Sequence, residues 1–176
     1  MDVRGRFRRG YVLAWLLLIA ALILPAVVRT ALRAPGPAVE IVRLDGDGHV
    51  VSLGEMKRLQ AISRRGEYQN QYGNWRDEGT YTGVRLTDLI EADADYEVLR
   101  IVAEDGYEIV IGRRRVEDSD YPVVLAYAFN GIEIPAWEDG PRIAVLPEKG
   151  RVSNEDYGTD SAGSYWVKNV DRIVLQ

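Results

Sequence analysis

Two dipeptides, Asp105-Gly106 and Asn130-Gly131, constrain this chain more than any other feature. Glycine preceded by Asp or Asn accepts the left-handed backbone that tight hairpin loops require. The two turns punctuate three apolar runs of strand length, Val98 to Ala103, Tyr107 to Ile111 and Val123 to Phe129. Their β-branched and aromatic content predicts strands, and their close spacing predicts a compact sheet. In Val123 to Phe129 alternation puts Tyr127 and Phe129 on one buried face. Another strand is predicted between Pro141 and Pro147.

Upstream, Val39 to Leu44 alternates, and Val50 to Leu53 returns beside it after the Asp-Gly pairs at 45–48. Asp45-Gly46-Asp47-Gly48 lacks the remaining ligand positions of a calcium loop, and His49, the sole histidine, reads as an ordinary hairpin residue. Ser52 with Glu55 forms a capping-box pattern for a short helix over Leu53 to Leu59. A strand is expected around Glu67 to Gln71, a turn at Gly83, and a second short helix from Leu86, with Leu86, Leu89 and Ile90 on one face. The stretch Pro147 to Gly163, rich in Gly, Ser, Asn and Asp, reads as a long surface loop of the kind that often carries function. Tyr165 to Lys168 and Asp171 to Leu175 are predicted to close the fold as a strand pair. Arg113-Arg114-Arg115 reads as a solvated turn.

The N-terminal part has a different character. Tyr11 to Val28 contains no charged residue, with Arg4, Arg6, Arg8 and Arg9 before it and Arg29 and Arg33 after it. At 1.5 Å per residue the run reaches about 27 Å, enough to cross a bilayer as one helix. No small-x-small cleavage pattern follows, so an uncleaved anchor is expected, with the basic end in the cytoplasm and the domain outside. Arg8-Arg9 matches a twin-arginine export signal only in part. Ala34-Pro35-Gly36-Pro37 then reads as a stiff linker. The expected organisation is a basic tail over 1–10, an anchor over 11–29, a linker over 30–37 and one domain over 38–176.

Composition narrows the chemistry. The chain has no cysteine and one histidine, which removes disulfides, thiolate metal sites and thiol nucleophiles. From residue 34 onward, 16 basic and 26 acidic residues leave a net charge of −10. Such a field disfavours nucleic acid and anionic lipid as partners. Hydrophobic residues at 47% are sufficient for a packed core.

Six motifs fall in order along the chain: Gly73-Asn74-Trp75-Arg76, Gly83 to Leu89, Asp105-Gly106-Tyr107, Leu125-Ala126-Tyr127 with Asn130-Gly131, Pro141 to Pro147, and Val167-Lys168-Asn169. In this order they resemble the molybdopterin-binding domain of sulfite-oxidase-type oxidoreductases, over roughly Gln69 to Leu175. The resemblance implies an α+β fold in which short helices flank one mixed sheet, and it allows a molybdopterin cofactor. The cofactor-binding candidates it marks are Gln71, Asn74, Arg76, Arg142 and Lys168.

The departures fall on the cofactor positions. Gln71 stands where the family carries its molybdenum-binding cysteine, Glu138 where it carries a His and Ile143 where it carries an Arg, with Arg142 next door. Asn169 replaces a Trp. These changes remove the thiolate and the charge-assisted hydrogen bonds that hold a pterin phosphate. No cofactor, metal ligand or catalytic residue is therefore expected. The function that follows is a membrane-anchored, extracytoplasmic, non-catalytic binding module for a small anionic ligand or a membrane protein partner. An active molybdopterin-dependent oxidoreductase and a structural subunit of a membrane complex are the alternatives. A ligand site is expected where Gln71 to Arg76, the Arg142 strand and the Pro147 to Gly163 loop converge, with Arg76 and Lys168 as its cations.

Overall fold

The Asn-Gly and Asp-Gly turns form as the backbone chemistry dictates. In the computed structural model, which describes residues 37–43, 46–90 and 94–176, Asn130 and Gly131 take φ of 49° and 80°. They join strand β7 (Val123–Phe129) to the short β8 (Ile132–Glu133). Gly106, at φ 86°, closes the loop between β5 (Val98–Ala103) and β6 (Glu108–Gly112), where Asp105 Oδ1 accepts from the Tyr107 N–H at 2.9 Å.

The strands form two sheets, not the one mixed sheet expected from sequence. The first has the order β2-β1-β10-β5-β6, with β1 (Ala38–Arg43), β2 (Gly48–Ser52) and β10 (Val170–Leu175). Within it β1 and β10 run parallel, with Ile41 beside Ile173, and the other pairs are antiparallel. The second, wholly antiparallel, has the order β3-β4-β7-β8, with β3 (Ala61–Gln69) and β4 (Trp75–Arg85), and β9 (Arg142–Val145) also pairs with β7. The two sheets are separate because the ladders of β3, β4, β7, β8 and β9 are made among themselves and none reaches β1, β2, β5, β6 or β10. β3 is a full nine-residue strand, beginning well before the expected Glu67. It lies at a sheet edge, where polar Ser63, Arg64 and Arg65 are tolerated. Arg64 lays its stem along the sheet and donates to the Leu146 carbonyl at 3.0 Å.

Gly83 makes no turn. It lies inside β4, and a Cβ there would come within 2.3 Å of the Leu125 carbonyl oxygen on β7. The glycine serves close strand approach. The β4–β7 register shifts between Thr82 and Gly83, passing from Ala128 to Ala126, so Tyr127 has no partner on β4. Strict alternation fails across that irregularity. Tyr127 is buried and Phe129 only half-buried, and from Val123 to Ala128 both faces of the strand are covered.

Helix α1 (Leu53–Met56) carries the predicted capping box, with Ser52 N–H donating to Glu55 Oε2 at 2.7 Å. It stops three residues before Leu59, where tighter turns take over. Helix α2 (Leu86–Leu89) follows β4, with Leu86, Leu89 and Ile90 all buried. The run at 113–115 forms helix α3 (Arg113–Val116) and is not a solvated turn. Arg113 lies over the Tyr96 ring and pairs with Glu117 at 2.7 Å, and Arg115 sits 4.0 Å from the Tyr157 ring centre. Tyr165 to Lys168 is not a strand. A 3-10 turn covers Ala162–Tyr165, and Asn169, at φ 48°, blocks extension until β10 begins.

Buried Leu99, Ile101, Ile111, Ile173 and Val39 from one sheet, with Val84, Leu125 and Ile143 from the other and Leu146 just after β9, belong to a single core. Among the described residues no helix is long and apolar enough to cross a membrane. Tyr11 to Val28 lies outside the described residues.

Candidate ligand-binding site

Arg142 opens β9, where it pairs with Ala126 and is only 2% exposed. A cation taken this far from water must be compensated, because desolvating a charge costs several kcal/mol (order of magnitude). Its Nη2 contacts Asp77 Oδ2 at 2.5 Å, and its Nη1 lies 3.8 Å from Asp139 Oδ2. Lys168 Nζ reaches that same Asp139 oxygen at 2.7 Å. Two carboxylates and two cations form one neutral group.

Three aromatic rings enclose the guanidinium. Its carbon lies 5.7 Å from the Trp166 ring centre and 5.9 Å from those of Tyr68 and Tyr81, within cation–π range. Trp166 in turn packs 5.0 Å from each tyrosine. Gly66 on β3 makes room for this cage: a Cβ there would meet Leu146 at 2.7 Å and Trp166 at 2.8 Å. Burial pushes both tyrosine hydroxyls up from their ordinary pKa, so they act as neutral donors. Tyr81 donates to the Asp77 carbonyl at 2.7 Å, and Tyr68 to the Asp77 carboxylate at 3.2 Å.

Asp77 is held from several sides. Burial works against its charged form, but the hydrogen bond and charge of Arg142, helped by Lys168 and Tyr68, outweigh this and leave its pKa below the ordinary carboxylate value. Its backbone sits at φ 54°, a region that non-glycine residues occupy at a cost.

The long loop docks against this cluster. Val152 bridges to Tyr68, while the Asn154 N–H donates to the Gln69 side-chain oxygen at 3.0 Å and the Asn154 side-chain amide donates to the Asn70 carbonyl at 2.9 Å. The Arg151 guanidinium carbon lies 5.5 Å from the Trp75 ring centre. The β3–β4 hairpin, the start of β9 and the 147–163 loop therefore meet around Arg142.

The five residues marked by the sequence fall in different settings. Gln71 and Asn74 are exposed at the tip of the β3–β4 hairpin. Arg76 is exposed, stands opposite Tyr68 in register, and its side chain makes no ion pair with a described residue. Arg142 is buried, and Lys168 is exposed but committed to Asp139. Glu138 is exposed and Ile143 lies in the core, so adjacent Arg142 and Ile143 serve opposite faces of β9. Sequence reasoning missed Asp77 and Asp139. Asp139 stands three residues before Arg142, and that spacing is the one local signal for the pair; Asp77 is 65 residues away.

A molybdopterin centre does not fit these residues. There is no thiolate in the chain, Gln71 points from an exposed tip, and the charges of Arg142 and Lys168 are met by the chain's own carboxylates. Among the described residues no group of three acidic, His or Cys residues is arranged to hold a metal ion. An open cleft of about 240 Å³ lined by Ile41, Arg43, Asp47, His49, Ile90 and Leu175 lies away from this cluster.

Among solved structures the chain is similar to the sulfane dehydrogenase SoxCD from Paracoccus pantotrophus, at 17% identity and a TM-score of 0.57. The match covers 78% of this chain and 37% of the length of that one. It shows a distant sulfite-oxidase-like fold. No protein-family model and no curated protein matches the sequence.

Proposed function

We propose that the chain is a non-catalytic binding module on a sulfite-oxidase-like scaffold, held at the outer face of a membrane by Tyr11 to Val28 and recognising a small anionic ligand or a membrane protein partner. The observation that carries this reading is the internal neutralisation of Arg142 by Asp77 and of Lys168 by Asp139. A pterin phosphate would have to compete with both carboxylates for these cations. The absence of any cysteine agrees with it, since the metal-binding position is the exposed Gln71. Anchoring is supported by the uncharged run and its flanking arginines.

The test is element analysis of the full chain purified from its native membrane. The reading expects the protein in the membrane fraction with molybdenum far below one equivalent per chain. Molybdenum near one equivalent would overturn it in favour of a molybdopterin-dependent oxidoreductase.

A further inference from the structure

The internal ion pair uses only half of what Arg142 offers. A guanidinium presents Nε–H and one Nη2–H along a single edge, spaced to receive two oxygens of one oxyanion. Asp77 takes Nη2 with a single oxygen, while Nε is buried and has no hydrogen-bond partner among the described residues. A second donor, the indole N–H of Trp166, is buried and has no partner among the described residues, on the ring 5.7 Å from the same guanidinium centre. Buried donors left unpaired are uncommon and costly, so two beside one buried cation call for an explanation.

We propose that the Arg142 cage is an oxyanion-recognition site gated by Asp77, whose carboxylate occupies it until a ligand with a carboxylate, sulfate or phosphate group takes its place. Asp77 suits the role of gate. Its side chain is 31% exposed while that of Arg142 is 2% exposed, so the carboxylate is reachable from solvent and the guanidinium is not. Tyr68, whose hydroxyl now donates to the Asp77 carboxylate, is placed to donate to a replacement oxygen. An incoming oxyanion that bridges Nε and Nη2 would satisfy the donor that Asp77 leaves unpaired. Its apparent affinity in the native chain is reduced by the fraction of time the gate is closed.

This inference rests on the reading of the domain as a binding module, but its test fails separately. The full chain in detergent is melted in sodium acetate, sulfate or phosphate, against sodium chloride at equal ionic strength. Three proteins are compared: the native chain, Asp77→Ala, and Asp77→Ala with Arg142→Met. Asp77→Ala should melt lower than the native chain and recover with one or more oxyanions along a saturating curve, as expected for binding to the folded state. The double variant should show only the shallow, unsaturating rise that sulfate and phosphate give any protein. The native chain should need at least about tenfold more oxyanion than Asp77→Ala for the same rise. The arm that saturates at the lowest concentration identifies the ligand group. Equal responses in Asp77→Ala and the double variant would overturn the site. Saturation of the native chain at the same concentration as Asp77→Ala would overturn the gate. If Asp77→Ala does not fold, Asp77→Asn takes its place, and the nitrogen-15 signal of Arg142 Nε is followed as phosphate is added. An unmoved signal would refute the proposal, whatever the molybdenum content.

Discussion

Replacing Gly83 by alanine places a methyl group where the structure has no room for one. The added Cβ would lie 2.3 Å from the Leu125 carbonyl oxygen, 2.5 Å from Ala126 Cα and 2.7 Å from Leu125 carbonyl carbon. All three are backbone atoms of β7, so no side-chain rotation relieves the contact. The strands must move apart by the better part of an ångström, and the pairs Val84 with Leu125 and Arg85 with Val124 resist this because Val84, Val124 and Leu125 are fully buried. Overpacking of this kind costs about 1–3 kcal/mol. A strained or broken ladder hydrogen bond adds about 0.5–1.5 kcal/mol. Against this stands a gain of about 0.4–1 kcal/mol from the stiffer unfolded chain. The clash wins, for a net loss of roughly 0.5–4 kcal/mol and a Tm lower by roughly 2–15 °C in a domain of this size. The matched control is Gly54→Ala in α1, an exposed site where the nearest heavy atom to an added Cβ is Ser52 Oγ at 3.9 Å. It should be neutral or stabilising. Thermal unfolding followed by circular dichroism reads both, and equal Tm values for the two variants would refute the close β4–β7 approach.

Two tyrosine-to-phenylalanine changes should move stability in different directions. Tyr81→Phe removes the hydroxyl that donates to the Asp77 carbonyl and should cost about 1 kcal/mol in urea unfolding. Tyr157→Phe removes a buried hydroxyl with no hydrogen-bond partner among the described residues and should be neutral or stabilise by up to about 1 kcal/mol; equal losses would show that the two hydroxyls are not placed as described. Acid should weaken the fold through Asp77. Because its folded pKa lies below its ordinary value of 3.8, its contribution is complete above that value and is lost as pH falls through the lower folded pKa. Asp77→Asn should therefore lose stability less steeply than the native chain below about pH 4, and parallel curves would contradict the Arg142 contact.

The parts of the fold built from local chemistry were legible in the sequence. Asn130-Gly131 and Asp105-Gly106 need positive φ, the Ser52–Glu55 cap is a four-residue device, and β5 and β7 are short apolar runs bounded by turn residues. Elements that depend on distant neighbours were not. β3 looks polar because it is an edge strand whose Arg64 stem covers the sheet, and Gly83 looks like a turn residue until β7 is laid beside it. The candidate site divides in the same way. The expectation of a site at Gln71 to Arg76, β9 and the 147–163 loop came from the family resemblance, whereas the Asp77–Arg142 contact joins β4 to β9, two strands that each pair with β7 and not with each other. Nothing in the local sequence signals that.

A double-mutant cycle on the native pair, Asp77→Asn and Arg142→Met singly and together, measures whether Arg142 is committed within the fold. Urea unfolding of the four proteins gives the coupling energy directly. For a guanidinium 2% exposed and a carboxylate 31% exposed, the expected coupling is roughly 1.5–3 kcal/mol, well above that of exposed pairs. A coupling below about 0.5 kcal/mol, the level of a surface salt bridge, would contradict it.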